Sequence, residues 1–95
     1  MNLSDYLKDS DKPLAVEHIL KELGQASLIR MQEGAELAKH QSKTNALLIL
    51  LEGEVVYKEA ERSIVLANVH DFVNIPELVL HELHAEKNAL LLLVK

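Results

Sequence analysis

The chain is broken too often to build long helices. Beyond Gly24, a glycine, a proline or a run of polar residues interrupts the apolar pattern every several residues. The segments between the breaks are 26–31, 36–40, 46–51, 54–58, 63–67, 72–75, 79–84 and 89–94. Each has the length of a strand and not of a globular helix. Gln32-Glu33-Gly34 and Leu51-Glu52-Gly53 read as turns, and 41–45 as a polar connector. Short strands with regular punctuation predict an all-β sandwich or barrel. Pro76 falls at a strand end, where its missing N–H does least harm.

Upstream of Gly24 the pattern has two readings. Val16, Ile19, Leu20 and Leu23 fit one face of a helix, whereas Leu14, Val16, His18 and Leu20 fit one face of a strand. Local propensity leans helical, since Glu, Lys and Leu are helix formers. Residues 1–12 are polar apart from Leu3, Tyr6 and Leu7, whose spacing suits one helical turn capped by Ser4. The stretch ending at Pro13 breaks it, which divides the chain into an N-terminal segment, 1–12, and a barrel domain, 13–95.

The 95 residues make one domain with one modest core. Fifteen acids against ten bases give a net charge of −5, which repels phosphate backbones. Aromatics are scarce, so stacking on single-stranded nucleic acid is not expected either. The absence of cysteine excludes disulfides and thiolate metal sites. The first residues lack the basic start and apolar core of a secretory signal. No apolar run reaches the roughly 18 residues that a membrane helix needs. The expectation is a cytoplasmic protein with neither nucleic-acid nor membrane partners.

Gly34, His40 and Gly53 stand at the spacing of the first cupin motif, in which a glycine precedes a His-x-His pair, a glutamate and a closing glycine. The second histidine position holds Ser42 and the glutamate position holds Ala46. Pro76 and His81 stand in register with the second cupin motif. There the glycine positions carry His70 and Leu78, and the asparagine position carries Ala85. The two motifs in order resemble the small single-domain cupins over most of the chain beyond Pro13. The resemblance implies a small antiparallel barrel of jelly-roll type. It also implies that 14–23 forms a strand, paired in a hairpin with 26–31. A positive φ at His70 would cost about 1 kcal/mol, so the turn there is expected to relax.

Cupins that hold a metal use three histidines and a glutamate, and the resemblance places His40 and His81 at two of those positions. Imidazole is a good ligand for a divalent transition ion. A working site needs about three protein ligands, and Ser42 and Ala46 are poor substitutes. No tightly held cofactor is therefore expected; a divalent transition metal at His40 and His81 is the alternative. Glu36 shares strand parity with His40 and Ser42 and is a candidate third ligand. His84 has opposite parity to His81 and points outward in a regular strand, while His18 and His70 read as surface residues. Tyr57 offers a hydroxyl to the cavity, or else is a core or surface residue. Leu48, Leu50 and Val73 are candidate cavity-lining residues.

The predicted function is a small-molecule-binding barrel, non-catalytic or weakly catalytic, with a degenerate metal site. The site residues are His40, Ser42, Tyr57 and His81. One alternative is a metal-dependent enzyme of isomerase or dioxygenase type that uses His40 and His81; another is a regulatory or interaction module. Segments 46–51 and 89–94 are apolar on both faces, so a homodimer is expected to cover the outer one.

Overall fold

The computed structural model describes residues 2–20 and 24–95. A single 3₁₀ turn, Leu3–Asp5, precedes nine strands among the described residues. They are β1 (Leu14–Leu20), β2 (Ala26–Met31), β3 (Glu36–His40), β4 (Ala46–Glu52), β5 (Val55–Glu59), β6 (Ser63–Leu66), β7 (Phe72–Ile75), β8 (His81–Ala85) and β9 (Ala89–Val94). The ambiguous stretch after Pro13 is thus a strand, at least to Leu20; its last residues, 21–23, lie outside the described part. Pairing with β2 overrides the helical propensity there, because a tertiary ladder outweighs a weak local preference. At the N-terminus the cap is Asn2, whose side-chain oxygen accepts the Ser4 N–H at 2.9 Å, and Ser4 itself lies inside the turn.

The strands form two antiparallel sheets. One runs β1-β2-β9-β4-β7 and the other β3-β8-β5-β6. Alternation explains the layering. In β4, Ala46, Leu48 and Leu50 are buried while Leu47, Ile49 and Leu51 are half-buried. In β5 and β8 the buried set is Val55, Tyr57, His81, Leu83 and Ala85. Met31, Leu48, Leu91, Val55, Tyr57, Leu66, Val73 and Leu83 share one core between the sheets. Leu48, Leu50 and Val73 are packed members of that core, each at most 2% exposed.

Besides Leu7 in the N-terminal segment (φ +60°), four turn residues of the barrel adopt the left-handed conformation: Gly34 (φ +85°), Gly53 (+88°), His70 (+80°) and Leu78 (+60°). These are the glycine positions of the two motifs. The expected relaxation at His70 does not occur. His70 N–H is held by the Leu50 carbonyl at 2.8 Å, and Leu78 N–H by the Ser42 carbonyl at 2.7 Å. Those bonds impose the backbone path whatever side chain occupies the position.

Candidate site at the barrel rim

His40, His81 and Glu59 lie in one row across three strands. β8 sits between β3 and β5, with His40 opposite His81 and His81 opposite Glu59. The next row is Leu37, Leu83 and Tyr57. Leu37 pairs with Leu83 and His40 with His81, so β3 takes three steps where β8 takes two. The extra residue is a bulge, and it inverts parity between Leu37 and His40. Both therefore face inward.

The bulge also removes Glu36 from the site. Glu36 sits opposite His84 on the outer face, with its Oε1 3.1 Å from His84 Nδ1. His84 Nε2 lies 3.4 Å from Glu82 Oε1 on the same face. The expectation that Glu36 shares a face with His40 fails because it assumed a regular strand. Ser42 is half-buried in the connector after β3, where its hydroxyl accepts the Thr44 N–H at 3.3 Å. Ala46 is buried opposite Ile75 and carries no donor atom. His18 is exposed, its Nδ1 2.7 Å from the Ser27 hydroxyl, and His70 is exposed at its turn.

The two site histidines have matching second contacts. His40 Nδ1 lies 2.9 Å from the Ala38 carbonyl, and His81 Nδ1 lies 3.0 Å from the Val79 carbonyl. A carbonyl only accepts, so both Nδ1 atoms carry a proton, and a ring in that tautomer leaves Nε2 as an acceptor. The ring centroids are 4.2 Å apart at a tilt of 59°. His40 is exposed at the rim, whereas His81 is 4% exposed. Burial holds the His81 imidazole below its ordinary pKa, and the neighbouring His40 adds to this, against the Val79 carbonyl and Glu59, which favour the charged form. His81 is a neutral acceptor at pH 7.

Behind His81 is a polar unit that the sequence reading missed. The Tyr57 ring stacks on His81 with centroids 5.7 Å apart and is fully buried. Its hydroxyl donates to Glu59 Oε2, which also accepts from Arg62 Nη2 at 2.8 Å. Burial, and then the Glu59 carboxylate, push the Tyr57 phenol far above its usual range, so it stays protonated. Hydrogen bonding from Arg62 holds the Glu59 carboxyl below the usual range although its side chain is only 9% exposed. Arg62 also donates to the Asn74 carbonyl on β7, and its guanidinium carbon lies 5.5 Å from the Tyr57 ring centroid. Alternation from Tyr57 reaches Glu59, two residues on along the same face, and that was the available signal. Arg62 sits in the following turn, and no local pattern marks it.

The metal ligand set that the fold implies can be tested on these donors. Two imidazole rings lie with their centroids 4.2 Å apart. Ser42 is engaged with Thr44, Glu36 faces outward, and Glu59 is held by Tyr57 and Arg62. Among the described residues no three His, Cys, Asp or Glu side chains are grouped to share an ion. Two protein ligands fall short of the three that a catalytic site uses. The residues do not fit the complete metal centre.

No family model matches the chain. No curated protein matches it either. Solved structures do. A cupin-2 domain protein of Shewanella frigidimarina superposes with a TM-score of 0.83 at 18% identity, over 100% of this chain and 92% of its own. A cupin superfamily protein of Desulfitobacterium hafniense gives 0.81 at 18%, over 86% of this chain and 75% of its own. The fold is that of a cupin. An RmlC-like cupin of Shewanella frigidimarina gives 0.79 at 21%, over 90% of this chain and 78% of its own. At such identities the likeness concerns the cupin architecture alone. Among the described residues, no helix is long and apolar enough to cross a membrane.

Proposed function

We propose that this cupin-fold protein binds a small molecule at the rim through His40 and His81, with Tyr57 and Glu59 behind them, and is non-catalytic or weakly catalytic. The observation that carries the reading is the pair of Nδ1–H contacts to backbone carbonyls, which leaves two adjacent Nε2 acceptors. A ligand with hydroxyl or amine donors suits them. The full Arg62–Glu59–Tyr57 chain supports binding over catalysis: the carboxylate is held by structural partners.

The test is a thermal-shift screen of polyols, amino acids and amines, followed by long-range nitrogen spectra of the histidine rings. A hit should move the Nε2 signals of His40 and His81 and weaken at least tenfold in His40→Ala. Hits indifferent to that substitution would remove the reading.

The rival is a metal-dependent enzyme, favoured by the same two imidazoles. Protein purified without chelator should carry well under one equivalent of Zn, Ni, Fe, Mn or Cu by elemental analysis. Stoichiometric metal lost on His81→Ala would favour the rival. Ser42→His combined with Ala46→Glu should raise metal affinity, because it restores the missing ligand types at the motif positions.

A further inference from the structure

Tyr57 and His81 have almost no contact with solvent, at 0% and 4% exposure. The ring of His40 lies against His81 on the rim side. A ligand that reaches past the rim needs a place where the barrel opens without breaking backbone ladders. One such place exists. β6 ends the smaller sheet and β7 ends the larger one, so the two are edge strands of different sheets. A depression of about 360 Å³ between them is lined by Ile64, Val65, Leu66, His70, Asp71 and Phe72. Leu66 in its wall is itself buried, and Ile64 stands beside the buried Tyr57 in the β5–β6 ladder. Toward the other end of the seam, Arg62 in the β5–β6 turn donates to the Asn74 carbonyl of β7 and to Glu59.

We infer that a small molecule reaches Tyr57 and His81 through the seam between β6 and β7, and that Arg62 is the latch that holds this seam closed. The inference rests on the reading of these residues as a ligand site. Parting the two edges breaks side-chain contacts and the Arg62 bond to Asn74, but no strand ladder. The latch can open while Arg62 stays paired with Glu59, because those two residues share one hairpin. Its side chain is 37% exposed, so an incoming molecule can compete for it. The guanidinium N–H released from Asn74 favours a ligand that bears an oxygen acceptor.

Hydroxyl-radical labelling of the full chain tests this without any ligand, so its outcome stands whether or not the rim binds one. Tyr57 is the one tyrosine in the tryptic peptide 44–58, and mass spectrometry reads it separately from Tyr6. Arg62→Ala should raise labelling of Tyr57 several-fold over wild type and leave Tyr6 unchanged. If that variant does not fold, Arg62→Lys keeps the charge toward Glu59 but loses the forked donor, and must itself raise the labelling. Gly34→Ala serves as the comparison, because its added methyl meets open space and only the backbone is strained. Labelling of Tyr57 unchanged in the Arg62 variants overturns the inference. An equal rise in Gly34→Ala also overturns it, because exposure would then follow general loosening.

Discussion

Buried against Tyr57 beside a largely aliphatic core, His81 couples the fold to pH. Its folded-state pKa lies below the ordinary 6.5, chiefly because burial disfavours the imidazolium. Between the folded value and 6.5, the unfolded chain binds a proton that the folded chain refuses. Stability is therefore complete above that window and falls as pH drops through it. Glu59 acts at lower pH. Its folded pKa lies below 4.5, so its contribution is present above that value and is lost as pH falls through the lowered one. Asp71 shifts the same way, held by the backbone N–H groups of Asn68 and Ala67. Urea midpoints measured from pH 8 to 3 should show two declines. His81→Leu should abolish the first and keep the second. A first decline that survives His81→Leu would place its origin elsewhere.

Elements are joined here by turns whose conformation is set by partners across the turn. Gly53 links β4 to β5, and a Cβ there would sit 2.0 Å from the Asn88 carbonyl oxygen and 2.7 Å from Ala89 Cα. Both obstacles are backbone at the start of β9, which cannot move without disturbing the ladders to β2 and β4. Gly53→Ala should cost about 2–5 kcal/mol, from the left-handed φ plus the clash. Leu78 is the converse case. It holds φ +60° with a side chain 61% exposed, so strain is carried for little packing. Leu78→Gly should stabilise by about 0.5–1 kcal/mol, since relief of left-handed strain exceeds the added chain entropy of glycine. Chemical denaturation of the two variants checks both signs; a Leu78→Gly protein less stable than wild type would show that the exposed leucine contributes packing after all.

The whole molecule has one broad outer face that is apolar, on the five-stranded sheet. Leu28 and Leu90 are fully buried yet stand outside the shared core. The N-terminal segment accounts for that end of the face. Arg30, on the same face of β2 as Leu28, donates to the Ser4 carbonyl at 3.0 Å, and Leu3 and Ser4 share a surface depression with Leu51 and Leu90. The other end stays open. Leu47, Ile49, His70 and Phe72 line a depression of about 290 Å³, and Phe72 is 58% exposed. Covering each large apolar side chain is worth roughly 1.5–3 kcal/mol before association costs. A twofold partner copy is the commonest way to cover such a face, so light scattering should find a homodimer that Ile49→Asp weakens. Removal of residues 1–12 should strengthen association by uncovering Leu90. A chain that is monomeric when intact and associates only after truncation would assign the cover to the segment.

What was legible in the residues is what local rules control. Alternation and turn residues located the strands from β2 onward to within two residues, because burial on one face of a pleated strand imposes a period of two. The same alternation placed His84 on the opposite face from His81, whereas the burial of Tyr57 was left open. Spacing of His40 and His81 marked the rim, where register brings them together. The bulge in β3 was invisible, since one extra residue in a ladder depends on the partner strand and not on the bulged sequence. It decided that His40 faces inward and Glu36 outward. The left-handed backbone at His70 and Leu78 was likewise set by their N–H hydrogen bonds to the carbonyls of Leu50 and Ser42, distant in sequence. Arg62 reaches Glu59 within the β5–β6 hairpin, but it reaches Asn74 only because the two sheets close over each other, so the tie between the polar unit and β7 is a product of tertiary packing.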